Sequence, residues 1–131
     1  MSNIMLRPGR PTDRGFIFST WLKGLLYGCP QYKGVDQAAF YENMGSELED
    51  LVAQPYLKIT VACLADDEDV VLGYAVTSQD ALHWVFVKKA WRSQGIARSL
   101  LGRPFKTFSA RTAAGDALAA KKGLVYNPWA F

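Results

Sequence analysis

The apolar positions of this chain recur at two spacings, and the two spacings predict its helices and strands. Residues 56–65 alternate apolar with more polar side chains, as a strand does when one of its faces is buried. Residues 36–54 place an apolar side chain at every third or fourth position and acids opposite, which predicts an amphipathic helix that Pro55 ends. Another helix is expected to begin near Thr12 and Asp13, with an acid in its first turn.

The same patterns predict the order strand, two helices, three strands, helix, strand, helix and strand. The acidic run at residues 66–69 is expected to be a turn, so that its flanking strands form a hairpin in which Gly73 marks a bulge. The predicted strands are residues 4–7, 56–65, 70–78, 81–87, 105–110 and 124–126, and the later helices are residues 94–101 and 112–122. This order is typical of an α/β or α+β sheet with helices packed on it, and residues 1–131 are expected to form one domain.

Composition narrows the choice of function. Half of the 131 residues are hydrophobic, which is enough for one core, and the net charge of +3 suits a small polyanionic ligand without arguing for nucleic acid. Two cysteines, Cys29 and Cys63, and one histidine, His83, cannot make a four-ligand zinc site, and the thiols fit a reduced cytoplasmic protein. No apolar run follows Met1 and none reaches about 18 residues, so we expect neither a signal peptide nor a membrane span.

The strongest chemical pattern is the turn Arg-Ser-Gln-Gly-Ile-Ala at residues 92–97, which follows an apolar strand and opens a helix. With no side chain at Gly95 and almost none at Ala97, such a turn presents bare backbone N–H groups where a diphosphate binds well. Arg92 and Arg98 can add charge-assisted hydrogen bonds. The alternative is a plain strand-to-helix turn with a convenient glycine. The spacing fits neither a Walker loop nor a dinucleotide fingerprint.

Residues 87–101, Val-Lys-Lys-Ala-Trp-Arg-Ser-Gln-Gly-Ile-Ala-Arg-Ser-Leu-Leu, resemble the acyl-CoA binding motif of the GNAT superfamily of N-acetyltransferases. That motif runs Val-x-Pro-x-x-Arg-x-x-Gly-Ile-Gly/Ala-x-x-Leu-Leu. Residues 117–126 are similar to the family's last helix and its Gly-Phe exit, and the chain is also similar to small acetyltransferase-like proteins encoded by phages. The resemblance implies acetyl-CoA as co-substrate and a GNAT-like mixed, mostly antiparallel sheet of about six strands flanked by four helices.

In the GNAT family the strand that precedes the motif splays away from its next neighbour, and the acyl thioester lies in the gap. The resemblance therefore implies that backbone groups of Phe86 and Val87 pair with the pantetheine arm. It places the pyrophosphate in the loop that follows, against the N–H groups and cations of Arg92, Ser93, Gln94, Gly95, Ile96, Ala97 and Arg98. Lys88 and Lys89 either touch the 3′-phosphate or form an ordinary polar loop.

Transfer from a thioester to an amine needs the amine deprotonated and the leaving thiolate reprotonated. Many GNAT members use a glutamate on the strand that here holds His83, so His83 is the candidate base, with an unperturbed pKa of about 6.5. Strand alternation predicts that His83 shares a face with Val85 and Val87, and the alternative is a half-buried histidine bonded to a neighbour. The tyrosine that the family uses as acid aligns with Ala119, which leaves Tyr126 as the candidate acid.

These residues favour transfer of an acetyl group from acetyl-CoA to a primary amine of a small molecule or peptide, with no metal and no membrane partner. The missing glutamate and tyrosine leave open a catalytically weak or inactive GNAT-fold protein that binds or regulates. A phage-type nucleobase-modifying enzyme is the third class, although a nucleic-acid partner is not the main expectation. Tyr27, Cys29 and Tyr32 either wall the acceptor pocket or cover the core. A bare sheet edge near the last strand predicts a homodimer.

Overall fold

A computed structural model of the chain describes residues 3–110, 116 and 120–127. Within those residues, six strands form one sheet in the order in which they occur along the chain. The strands are β1 (Ile4–Pro8), β2 (Leu57–Leu64), β3 (Val71–Ser78), β4 (Ala81–Val87), β5 (Thr107–Phe108) and β6 (Val125–Tyr126). Strands β1 to β4 pair antiparallel, whereas β4, β5 and β6 pair parallel. The predicted mixed, mostly antiparallel α/β sheet is therefore confirmed.

Helices cover both faces of the sheet. Helices α1 (Arg14–Gly28) and α2 (Gln37–Val52) pack on one face, over Tyr74 and its neighbours. Helix α3 (Ile96–Leu100) packs on the other face, over Leu72. The predicted helix at residues 112–122 lies partly outside the described residues, of which 116 and 120–122 are helical.

A buried ion pair joins the first strand to the start of α1. Arg7 donates to both carboxylate oxygens of Asp13, from Nη1 at 2.7 Å and from Nη2 at 2.9 Å. The two side chains are only 4% and 5% exposed. The same guanidinium donates to the backbone carbonyl of Glu68 in the turn between β2 and β3, and the Asp13 carboxylate accepts the N–H of Arg10. Because Arg7 donates to it, the pKa of Asp13 lies below its usual value.

Two bulges decide which way the side chains of β3 and β4 point. The first lies at Leu72, beside Gly73, where the pairing of β3 with β2 shifts, so the predicted bulge is confirmed within one residue. The second lies at His83. Val76 pairs with Trp84 and Thr77 pairs with Leu82, so His83 is the extra residue of β4.

The bulge at His83 breaks the alternation of side chains along β4. The His83 ring bonds to Ser78. Ser78 pairs with Leu57, which packs in the layer of α1 and α2, so His83 lies on that face of the sheet. Val85 and Val87 instead pack in the layer of α3. The expectation that His83 shares a face with Val85 and Val87 is therefore wrong.

The sheet opens between β4 and β5. These strands pair only at Ala81 with Thr107 and at Leu82 with Phe108. The N–H of Ser109 donates to the Leu82 carbonyl at 3.1 Å, and β4 then continues to its end without β5 beside it. The strand predicted for residues 105–110 is therefore shortened to two residues, and the expected splay leaves a cleft along β4.

The described part of the chain also bears on membranes and metals. None of its helices is both long and apolar enough to cross a bilayer. Among the same residues, no group of three or more His, Cys, Asp or Glu side chains is arranged to hold a metal ion. Cys29 and Cys63 are buried free thiols.

Candidate functional site

Three hollows follow one another past the open edge of β4 in the described part of the chain. The loop hollow lies around residues 91–98 and has a volume of about 590 Å³. The central cleft, between β4 and β5, has a volume of about 670 Å³, and the helix-side cavity, between α1, α2 and β5, has about 460 Å³. Val85, Val87 and Arg92 line both the loop hollow and the central cleft. His83 and Ala110 line both the central cleft and the helix-side cavity, so neighbouring hollows adjoin along β4, and this row of three hollows is called the path.

The main chain of β4 offers a strand edge to the central cleft. The N–H of Lys88 donates to the Leu72 carbonyl at 2.8 Å, so the main-chain groups of Lys88 and Phe86 are turned toward β3. By alternation, the main-chain groups of Val85 and Val87 are turned toward the cleft. Of the two residues expected to pair with a pantetheine arm, Val87 therefore lies on the open edge and Phe86 does not, and Val85 is the neighbouring residue on that edge.

The loop before α3 lines the loop hollow. Ser93 and Gly95 have positive φ values of 65° and 81°. The N–H of Ser99 makes the first helical hydrogen bond, to the Gly95 carbonyl at 3.0 Å, so the amides of residues 96–98 precede the ladder. A Cβ on Gly95 would meet nothing within 4 Å. Glycine is therefore favoured here by its backbone angle and not by a lack of space.

Two arginines bring positive charge to the same loop. Arg92 and Arg98 both line the loop hollow. The Nε of Arg92 donates to the Val87 carbonyl at 3.0 Å, which holds the guanidinium where the loop hollow meets the central cleft. Lys88 instead places its ammonium 5.1 Å from the ring centroid of Phe16, and Lys89 is exposed.

The helix-side cavity has an apolar floor and a polar rim. Cys29 and Tyr32 line it and also pack in the core beneath α1 and α2, whereas Tyr27 is 74% exposed and lines none of the three hollows. Burial, with the negative charge of Asp116 as a second cause, raises the pKa of the Cys29 thiol to about 11. This thiol is therefore not a nucleophile at neutral pH. The polar rim contains Gln31, Tyr32, Glu47, Asp50, Gln54, Ser109 and Tyr126.

His83 lies buried where the central cleft meets the helix-side cavity. It is 2% exposed, with Nε2 at 2.5 Å from the Ser78 hydroxyl and Nδ1 at 2.6 Å from the Ser109 hydroxyl. Burial lowers the pKa of the imidazole to about 4. At neutral pH the ring is therefore uncharged, and it is a weaker base than an exposed histidine.

Solved structures with the same architecture place this path in context. A structure described as a GCN5-related N-acetyltransferase from Rhodopseudomonas palustris matches with a TM-score of 0.54 and 18% identity, over 94% of this chain and 69% of that chain. A candidate acetyl transferase from Pyrococcus furiosus matches with a TM-score of 0.56 and 17% identity, over 94% and 78% of the two chains. The chain has the GNAT fold.

Other findings limit what this fold implies. A transcriptional regulator from Bacillus halodurans C-125 matches with a TM-score of 0.51 and 13% identity, over 94% of this chain and 79% of that chain. No family model and no curated protein matches the sequence. The solved structures thus confirm the fold that the resemblance of residues 87–101 implies. Evidence for an activity comes from the site itself.

The second candidate catalytic residue of this GNAT-fold chain is Tyr126. Its ring packs on Phe108 with centroids 5.4 Å apart, and it lines the helix-side cavity together with Ser109. Ala119, which aligns with the tyrosine of the family, lies outside the described residues.

Several residues of the site, besides Val85, were not predicted from the sequence. Ser78 and Ser109 hold the His83 ring, and Glu47 and Asp50 line the rim of the helix-side cavity. The acids lie opposite the apolar stripe of α2, and nothing local distinguishes them from its other acids. Ser109 follows β5 directly, so its place beside β4 depends on a strand pairing remote in sequence.

Proposed function

We propose that this protein transfers an acetyl group from acetyl-CoA to a primary amine. The observation that carries the proposal is the row of adjoining hollows along the open edge of β4, from the loop hollow past the central cleft to the cavity beyond His83. A transfer between two substrates needs such a path, because thioester and amine must approach from opposite ends and meet in one orientation.

The loop hollow fits the diphosphate of acetyl-CoA. The amides of residues 96–98 supply donors, and Arg92 and Arg98 supply positive charge. The bare Cα of Gly95 leaves room for a close approach to the main chain. Ser93 and Gln94 bring exposed side chains to the same loop.

The open edge of β4 fits the pantetheine arm. The main-chain groups of Val85 and Val87 can pair with its amides as a missing strand would. The Val87 carbonyl accepts from Arg92, so the Val87 N–H is the group offered to the ligand. An N–H on this edge can polarise the thioester carbonyl.

In the proposed reaction the amine nitrogen attacks the thioester carbonyl, a C–N bond forms and the C–S bond breaks. His83 accepts the proton of the nitrogen, and the leaving thiolate takes a proton from Tyr126. The proton held by His83 then returns to Tyr126 through solvent. A pKa of about 4 makes His83 a poor base toward a free ammonium ion. The positively charged nitrogen that has added to a carbonyl is a far stronger acid, so the neutral ring can take that proton.

One observation favours a second function, binding of an acyl-CoA without turnover. Both ring nitrogens of His83 already bond to serine hydroxyls, which is the arrangement of a structural histidine. In that case the path holds the cofactor, and the buried imidazole only fixes β4 to its neighbours.

A turnover assay with acetyl-CoA and a panel of primary amines separates the two functions. We expect amine-dependent release of the CoA thiol. We also expect His83→Gln to lower kcat by about 100-fold without changing the KM for acetyl-CoA, because a general base acts only in the chemical step. The exposed Tyr27→Phe variant is the control and is expected to keep full activity. Binding of acetyl-CoA without thiol release for any amine would instead support the binding protein.

A further inference from the structure

The path along β4 changes the sign of its charge from one end to the other. Arg92 and Arg98 line the loop hollow. At the opposite end, Glu47 and Asp50 line the helix-side cavity, and no lysine or arginine lines it among the described residues. If the loop hollow takes the anionic end of acetyl-CoA, the other end is built for a ligand of opposite charge.

The two carboxylates are available to a ligand. Neither Glu47 nor Asp50 forms an ion pair within the described residues, whereas Glu49 on the same helix binds Arg14 at 3.1 Å. The negative charge of Glu47 also acts on Tyr32, which lines the cavity. Burial is the main cause of the raised pKa of the Tyr32 phenol, and the negative charge of Glu47 raises that pKa further.

The floor of the cavity is apolar. It is formed by Trp21, Leu25, Met44, Leu48 and Leu51. A ligand that reaches from the acidic rim to His83 must therefore have an apolar middle part that packs against this floor. The volume of about 460 Å³ is that of a small-molecule site.

We propose that the acceptor is a small amine with a second, protonated nitrogen, of the linear diamine class, whose second ammonium binds Glu47 and Asp50 at the rim of the helix-side cavity. This inference rests on the proposed function and names the substrate class of the same site. The hydrocarbon chain lies on the apolar floor, and the reacting amine reaches the junction at His83 and Ala110.

The separation of the two ends matters for the chemistry. A carboxylate beside the reacting nitrogen would stabilise its ammonium form, which cannot attack a thioester. The junction at His83 is instead formed by serine hydroxyls, an uncharged imidazole and Ala110. The acids therefore bind the distal nitrogen and leave the reacting nitrogen free to lose its proton. The same acidic rim repels a phosphodiester backbone, which argues against a nucleic-acid acceptor.

The test compares a series of linear diamines with monoamines of the same length. We expect the best diamine to have a KM about tenfold below that of its monoamine, and the advantage to decrease with added salt. The double variant Glu47→Gln/Asp50→Asn is expected to raise the diamine KM about tenfold and so to remove the advantage of the diamine over the monoamine. Glu42→Gln, an exposed position of the same helix that does not line the cavity, is the matched control and is expected to change neither KM.

The outcomes separate this inference from the function on which it rests. Equal KM values for diamines and monoamines, unaffected by the double variant, would overturn the inference and leave acetyl transfer standing. No turnover with any amine would overturn the proposed function. Calorimetric titration of the diamine into the protein then decides the inference, because binding that the double variant weakens supports it and absence of binding overturns it.

Discussion

Replacing Asp13 with alanine is expected to lower the free energy of unfolding by about 3–5 kcal/mol, because it leaves the Arg7 guanidinium buried without a counter-ion. Arg7 is 6% exposed and bonds to Asp13 at 2.7 and 2.9 Å, so water cannot replace the carboxylate without a rearrangement of β1. The loss also frees the N–H of Arg10 and loosens the turn at Glu68. Urea unfolding with an unchanged m value measures the effect.

The exposed pair of Arg14 and Glu49 is the matched control for this prediction. Its side chains are 53% and 60% exposed, so Glu49→Ala is expected to cost less than about 1 kcal/mol. A second variant, Arg7→Met/Asp13→Leu, is expected to be more stable than Asp13→Ala alone, since no unpaired charge is left buried. Equal losses for Asp13→Ala and Glu49→Ala would show that the buried pair contributes no more than a surface one.

The burial of His83 leads to the second large prediction, which concerns the dependence of stability on pH. The pKa of His83 is lowered from 6.5 to about 4 on folding, so between these values the unfolded chain binds a proton that the folded chain does not. Stability is therefore complete above about pH 6.5 and is lost as the pH falls toward 4. The expected loss over that window is about 3 kcal/mol.

The variant His83→Gln tests the assignment of this pH effect. Glutamine does not titrate, so its stability is expected to be nearly constant between pH 6.5 and 4, whatever its value. Asp13 does not interfere, because the usual aspartate pKa is 3.8 and the lowered pKa of Asp13 moves its effect to still lower pH. The same slope in both proteins would place the pH dependence elsewhere. An NMR titration of the imidazole in the wild-type protein measures the pKa independently.

The elements predicted from the sequence are those with a clear local pattern. The strand predicted for residues 81–87 agrees with β4 to the residue, because polar residues flank its mostly apolar run on both sides. The bulge at His83 could not be predicted, because the other side chains of β4 are apolar and give the alternation no phase. The short β5 could not be predicted either, since its length is set by the divergence from β4.

The residues of the candidate site also divide into those that a local pattern predicts and those that depend on remote packing. The turn around Gly95 is a local motif, and its positive φ follows from the glycine. The contacts of His83 depend on Ser78 across a hairpin and on Ser109 in another strand. Glu47 and Asp50 look like any solvent-facing acids on α2, and only the packing of remote strands turns that face into the rim of a cavity.

Calorimetric titration with acetyl-CoA tests the central claim, that the amides around Gly95 bind the diphosphate of the cofactor. The account predicts that the wild-type protein binds and that Gly95→Val weakens binding at least about tenfold, because a branched side chain disfavours the required φ of 81°. Gly34→Val is the matched control, since Gly34 has a φ of 83° and equally open space but lies outside the path, so binding is expected to be unchanged. No binding by the wild-type protein, or equal affinities for the two variants, would contradict the account.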